Sequence, residues 1–168
     1  MILGLQHIDP QRIAAIDSNG AELRYAEFSQ LSQHITSLIP TRSLCFLLVE
    51  NNVGGIAWVM SMLDSRQLVP LILNVKTEDT LYQQLLNTYQ PTYICAPNHF
   101  VVQGEVVDCL YEYTLTKVSN STPALHSELS HLLPTSGSTG SPKLVRHKYD
   151  NIEAAGLNIS TFFQLKEI

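Results

Sequence analysis

Leu44-Cys45-Phe46-Leu47-Leu48-Val49 is apolar at every position. A strand with one wet face alternates apolar and polar residues. An unbroken apolar run of this length instead marks a strand buried on both faces, as at the centre of a parallel sheet. The flanking segments agree. Asn51 or Asn52 is placed to cap a helix carrying Ile56, Trp58, Val59, Met60 and Leu63, which is apolar nearly all round and so expected to be buried. Trp58 and Met60 are read there as core residues. Gly54-Gly55 in its first turn costs about 1 kcal/mol per glycine relative to alanine, and close packing is the reason that cost suggests. Residues 68–73 form the next strand, with Pro70 implying an end or an irregularity. Thr77 is placed to cap a third helix, with Glu78 and Asp79 favourable in its first turn. Its inward residues are Leu81, Leu85 and Tyr89, and Pro91 stops it. Tyr93-Ile94-Cys95 is a further strand. Strand and helix alternating over short connections predict an α/β fold: a parallel sheet with right-handed βαβ crossovers, flanked by helices.

Towards the N-terminus, Ile13-Ala14-Ala15-Ile16 is a short apolar run closed by the turn residues Asp17-Ser18-Asn19-Gly20, which suggests a hairpin through residues 22–25. Phe28, Leu31, Ile35, Leu38 and Ile39 then recur at helical spacing until Pro40, although no Ser, Thr, Asp or Asn stands directly before Ala26 to cap that helix. Towards the C-terminus, Val101-Val102 and Val106-Val107 read as short strands. Tyr111, Tyr113 and Leu115 alternate with Glu112, Thr114 and Thr116 as in a half-exposed strand. Residues 119–128 read as a surface loop. A strand over residues 144–149 leads to a helix started by Asp150 with Glu153 three residues on, carrying Ile152, Ala155, Ile159 and Phe162 at helical spacing.

Between these segments lies Thr135-Ser136-Gly137-Ser138-Thr139-Gly140-Ser141-Pro142-Lys143, in which five hydroxyl side chains, two glycines and a lysine fall within nine residues. Such a surface suits a polyanion. Glycines let backbone N–H groups approach phosphate oxygens, hydroxyls donate further hydrogen bonds, and lysine adds a positive charge. A hydrogen bond to a charged acceptor is worth about 1.5–3 kcal/mol, so three or four converging donors would hold a phosphate firmly. A solvated Ser/Gly linker is the plainer alternative, opposed by the abrupt Pro-Lys closure and the apolar segments on both sides. The run is not a Walker A loop, because no glycine has a Gly-Lys-Ser/Thr at the spacing that loop requires.

From Leu132-Leu133-Pro134 through Lys143 the sequence resembles the phosphate-binding signature of the adenylate-forming (AMP-binding) ligases, which include acyl-CoA and aryl-CoA synthetases, amino-acid adenylation domains and luciferases. That signature reads Thr/Ser-Ser-Gly-Thr/Ser-Thr-Gly-x-Pro-Lys-Gly, and eight of its positions are met in order. Leu144 stands where most members have glycine, and Tyr149 where a histidine is common. The hairpin-then-helix opening over residues 17–28 resembles the family more loosely. The resemblance implies ATP-dependent adenylation of a carboxylic acid, releasing pyrophosphate, followed by transfer to a thiol of CoA or a carrier protein. It implies a cofactor site made by Thr135, Ser136, Gly137, Ser138, Thr139, Gly140 and Lys143. Ser136, Ser138, Thr139 and the loop amides would contact phosphate, Thr135 would anchor the strand end, Gly137 and Gly140 would permit the turns, and Lys143 would pair with phosphate or brace the loop. ATP is accompanied by Mg²⁺, whose ligands are expected outside this chain. Residues 1–168 then correspond to the N-terminal portion of a ligase large domain, truncated and without the C-terminal domain. Such a fragment is expected to be inactive alone and to dimerise through surface that truncation exposes. The acyl substrate and the thiol acceptor are not legible in these residues.

Composition limits the rival classes. A net charge of −5 opposes nucleic-acid binding through a broad basic face, while Lys143, Arg146 and Lys148 concentrate positive charge beside the loop. No apolar run approaches the ~20 residues needed to span a bilayer, and the N-terminus lacks a basic, then long apolar, leader. A cytoplasmic protein without membrane or nucleic-acid partners is therefore expected, and the sequons at Asn120 and Asn158 are read as irrelevant. Cys45, Cys95 and Cys109 form no CxxC pair; the first two are read as inert core thiols. His126 and His131 lack further ligands at metal-binding spacing. Strand alternation puts Arg146 and His147 on opposite faces, so at most one should approach phosphate. Two readings remain beside the ligase: a stand-alone nucleotide- or phosphate-binding module, and an interaction domain whose Ser/Thr/Gly run is a mobile loop.

Overall fold

The computed structural model of the chain describes residues 7–121, 123–135 and 143–165. A small antiparallel hairpin, β1 (Ile13–Ile16) and β2 (Glu22–Arg24), precedes α1 (Tyr25–Leu38). There follow β3 (Ser43–Val49), α2 (Val53–Ser65), β4 (Leu68–Asn74), α3 (Asp79–Tyr89) and β5 (Tyr93–Pro97). The chain continues through β6 (Glu105–Leu110), β7 (Tyr113–Lys117), β8 (Leu129–Pro134), β9 (Leu144–Lys148) and α4 (Tyr149–Phe162). The main sheet has the order β6-β7-β5-β3-β4-β8-β9. Strand β3 is parallel to β4 and β5, and β4 to β8; β7 pairs antiparallel with β5, β6 with β7, and β9 with β8. The expected parallel core with βαβ crossovers is present, and antiparallel strands extend it on both sides into a mixed sheet.

Strand β3 lies at the centre, and its alternate residues feed two cores. Cys45 and Leu47 pack with α1 and α2, through Phe28, Ile35, Trp58 and Met62. Leu44, Phe46 and Leu48 pack with α3, through Tyr82 and Leu85. This division explains why no polar residue interrupts the strand. Cys45 and Cys95 are fully buried, and burial pushes both thiols far above the ordinary range, so they are inert core residues; Cys109 is exposed.

Several local expectations shift in ways the contacts explain. The start of α1 has no side-chain acceptor at its cap; instead the Glu27 carboxylate accepts the Arg24 N–H at 2.6 Å from within the first turn. Asn52, not Asn51, caps α2, its Oδ1 accepting from the Gly55 N–H at 2.8 Å. Thr77 does not cap α3: its hydroxyl donates to the Asn74 carbonyl at 2.6 Å, and Glu78 occupies the cap position. Pro70 neither ends nor distorts β4, which runs through it in register with Cys45; on its other side β4 pairs with β8 only at Leu71, so little ladder is lost. Val101 and Val102 lie outside any strand. Tyr111 and Glu112 are not strand residues but the turn between β6 and β7, with φ of 54° and 62°, the left-handed pair that a tight hairpin's twist requires. Helix α4 begins at Tyr149 with Lys148 at its cap, and Asp150 contributes only as a first-turn carboxylate. Helix α2 is not buried all round: Ile56, Val59 and Met60 line an open cleft.

The two glycines of α2 have the packing role their cost suggests. A Cβ on Gly54 would lie 2.3 Å from the Tyr111 carbonyl oxygen, and one on Gly55 2.6 Å from that of Glu50. The β6–β7 turn can thus rest directly on the helix, with the Tyr113 hydroxyl accepting the Glu50 N–H at 3.0 Å and meeting Asn52 Oδ1 at 3.3 Å.

Candidate functional site

Because β3, β4, β5 and β8 are mutually parallel, their carboxyl ends share one edge of the sheet, and the donor-rich run leaves the sheet there, after β8. In open α/β folds this is the edge along which ligands bind. Strands β8 and β9 form the hairpin that carries the run, with Leu132 opposite Arg146, Leu133 opposite Val145 and Pro134 opposite Leu144. Thr135 closes its base: the backbone N–H donates to the Lys143 carbonyl at 2.9 Å, and the hydroxyl donates to the same oxygen at 3.1 Å. Both lone pairs of one carbonyl are used to fix where the loop begins and ends. Thr135 is thereby tied to Lys143 across the mouth of the hairpin. Ser136, Gly137, Ser138, Thr139 and Gly140 lie outside the described residues.

Lys143 is exposed at the other side of the loop base, and its ammonium makes no hydrogen bond or ion pair among the described residues. With Arg146 it borders a cleft of about 620 Å³ on the α3 side of the hairpin, lined also by Tyr89, Leu132 and Leu144. His147 faces the other way, as strand alternation requires, and stacks on His131 directly across the strand pair. Their ring centroids are 4.4 Å apart and the planes 3° from parallel. Burial, and secondarily the neighbouring His147, lowers the pKa of His131 to about 4. The His131 ring is thus held neutral near pH 7, which spares the stack one of two possible charges. His126 takes no part in this pair; its Nδ1 accepts the Glu128 N–H at 3.2 Å. Among the described residues no three His, Cys, Asp or Glu side chains converge as a metal ion would need.

The hairpin is braced by residues that the sequence reading did not single out. Arg42 donates to the carbonyls of Arg66 and Leu129, tying the start of β8 to the end of α2. The Arg66 guanidinium lies 4.2 Å from the centroid of the Tyr149 ring, which is buried against Leu63. Tyr149, a departure from the signature, is therefore a packing residue that seats the junction of β9 and α4. These partners are far apart in sequence, and Arg42 and Arg66 sit in turns that carry no periodic signal.

A second cleft, of about 540 Å³, opens at the carboxyl end of β3 beside α2. Ile16, Val49, Ile56, Val59 and Met60 line it, with Asp17 and Glu50 at its rim. It is more apolar than the cleft beside Lys143. It shares no lining residue with the loop-bearing hairpin.

No protein-family model matches the sequence, and no curated protein matches it. Solved structures do. The o-succinylbenzoate CoA synthetase MenE from Bacillus subtilis, in complex with the acyl-adenylate intermediate OSB-AMP, superposes with a TM-score of 0.73 over 97% of this chain and 46% of its own, at 18% identity. The chain has the fold of the N-terminal part of the adenylate-forming ligases. Apo MatB from Rhodopseudomonas palustris matches with a TM-score of 0.68 over 94% of this chain and 36% of its own, at 14% identity. The N-terminal subdomain of NpsA from Klebsiella oxytoca matches with 0.64 over 90% and 42%, at 18% identity. The chain thus spans less than half the length of each of these proteins, and at these identities the likeness is one of fold. Within that ligase fold, no helix among the described residues is long and apolar enough to cross a membrane.

Proposed function

We propose that this chain supplies the triphosphate grip for an ATP-dependent adenylation of a carboxylic acid. One observation carries the reading. The nine-residue run rich in hydroxyls and glycines leaves a parallel strand at the carboxyl edge of a ligase-type sheet, with its base closed by two Thr135 hydrogen bonds to one carbonyl. In this reading Ser136, Ser138, Thr139 and the amides around Gly137 and Gly140 bind the β and γ phosphates. Lys143 adds a positive charge at the loop's exit. Holding the phosphates turns the α phosphorus towards the acid, and the same donors stabilise the charge that develops on departing pyrophosphate. The carboxylate oxygen attacks the α phosphorus, the bond to the bridging oxygen breaks, and an acyl-adenylate and pyrophosphate result. A thiol of CoA or a carrier protein would then take the acyl group. Mg²⁺ would travel with ATP; among the described residues no three His, Cys, Asp or Glu side chains converge to hold it. Residues 1–168 would form the N-terminal portion of the ligase large domain.

Calorimetric titration of the chain with ATP and with pyrophosphate tests the grip. Binding of both is expected, and Ser138→Ala and Thr139→Ala should each weaken it about 10- to 150-fold, the equivalent of one hydrogen bond to a charged acceptor. Equal affinity in the double variant would overturn the assignment. Pyrophosphate exchange with a mixed panel of carboxylic acids is expected to show no turnover by the 168-residue chain alone.

A further inference from the structure

The cleft beside α2 opens where the connections of the sheet part. From the carboxyl end of β3 the chain turns into α2 on one face, and from the adjacent β4 it turns into α3 on the other. In open α/β sheets ligands settle outside the carboxyl ends of the strands at such a reversal. The cleft has about 540 Å³ of space, and small-molecule sites span about 300–1,000 Å³. Ile16, Val49, Ile56, Val59 and Met60 form its apolar walls. Its mouth is held in place by hydrogen bonds. Asp17 Oδ1 accepts the N–H groups of Asn19 at 2.9 Å and Ala21 at 3.1 Å. Its Oδ2 accepts that of Val53 at 3.4 Å, which ties the β1–β2 turn to the start of α2. The Glu50 N–H donates to the Tyr113 hydroxyl, and Asn52 caps the helix. The hollow is thus formed before anything enters it, as ligand sites usually are.

The charges at the rim have one sign. The carboxylates of Asp17 and Glu50 stand there with the amides of Asn51 and Asn52, and no Lys, Arg or His is among the described residues that line the cleft. Glu50 meets the Asn52 amide at 3.4 Å and the His99 ring at 3.5 Å, contacts that leave the carboxylate further lone pairs to offer. A carboxylate or phosphate ligand would meet two like charges with no lining cation to offset them. We propose that the cleft binds a small primary amine. Its apolar body, a single ring or a short branched chain, lies against Ile56, Val59 and Met60, and its ammonium sits at the rim with Glu50 and Asp17. This site is independent of the phosphate grip, because it shares no lining residue with the loop-bearing hairpin.

Amide signals of the ¹⁵N-labelled chain, followed as phenethylamine is added, test this. Saturable shifts are expected around Ile16, Asp17 and the Val49–Met60 stretch that lines the cleft. A Kd on the order of 1 mM is expected for so small a ligand. Phenethyl alcohol, uncharged and of the same shape, should bind about three- to tenfold more weakly, since carboxylates at a wet rim contribute modestly. Hydrocinnamate, the matching acid, should bind more weakly still. Glu50→Gln should bring the amine towards the alcohol and leave the alcohol unchanged. Ile56→Lys places a fixed ammonium on an exposed part of the wall and should abolish amine binding; circular dichroism checks that both variants fold. Equal affinity for amine and alcohol, tighter binding of the acid, shifts that survive Ile56→Lys, or no saturable shift at all would each overturn the proposal. None of these probes carries a phosphate, so their failure would leave the phosphate grip standing.

Discussion

Replacing Gly54 with alanine sets two physical terms against each other. In an exposed helix the change would stabilise by about 1 kcal/mol through propensity. At Gly54 the new Cβ would lie 2.3 Å from the Tyr111 carbonyl oxygen and 2.9 Å from two ring carbons of Tyr113. Neither neighbour can yield cheaply. The carbonyl belongs to a turn whose two residues already hold φ of 54° and 62°, and Tyr113 is fully buried at the base of β7. Overpacking that only moves side chains costs about 1–3 kcal/mol, and here backbone must move as well. The propensity gain is outweighed, and a net loss of about 2 kcal/mol or more is expected, a fall in Tm of roughly 4–8 °C for a chain of this size. Urea titration and thermal melts followed by circular dichroism measure it. Gly20→Ala is the control: φ is +81° with open space around the site, so only backbone strain of about 1–2 kcal/mol applies. A Gly54→Ala protein as stable as the parent, or more so, would mean that the β6–β7 turn does not rest on α2.

The stacked histidines give a pH dependence of definite sign. The folded pKa of His131, about 4, lies below its unfolded value of 6.5, so the unfolded chain binds more protons between them and stability is lost as pH falls through that window. The loss should be measurable by pH 4 but smaller than the full shift implies, because solvent screens this half-buried ring, and His131→Phe should flatten it in urea titrations at several pH values. Asn52→Ala removes the α2 cap and the partner of the Tyr113 hydroxyl; a loss of about 1–2 kcal/mol is expected in the same assay. Thr135→Val keeps the shape but deletes one of two bonds to the Lys143 carbonyl. Stability should fall by only about 0.5–1 kcal/mol at this exposed site, while pyrophosphate affinity, read by calorimetry, falls up to about fivefold as the loop base loosens.

Central elements were legible in the sequence because each is specified locally. The unbroken apolar run of β3 calls for burial on both faces, and α1 and α3 are bounded by Pro40 and Pro91. Gly54-Gly55 signalled close packing through its helix cost alone. The misread places are those where a distant partner decides. Tyr111 and Glu112 alternate as strand residues do, but the hairpin's twist takes them for its turn. Ile56, Val59 and Met60 look like core because apolar content cannot say which face of α2 lacks a neighbour. At the site, the Thr-Ser-Gly run was visible as a donor-rich segment, whereas the hydrogen bonds that tie Thr135 to Lys143 carry no sequence signal. The bracing of the hairpin by Arg42, Arg66 and Tyr149 was not visible, since three residues so far apart in sequence share no periodicity.

In the proposed function the segment between Thr135 and Lys143 grips phosphate through its amides and hydroxyls. Amide signals of the ¹⁵N-labelled chain, followed while pyrophosphate is added, test this most directly. Saturable shifts confined to residues 136–143, with Gly137 and Gly140 among the largest, are the predicted result. Loop amides that stay in place at millimolar pyrophosphate, or shifts no larger there than elsewhere on the surface, would contradict it.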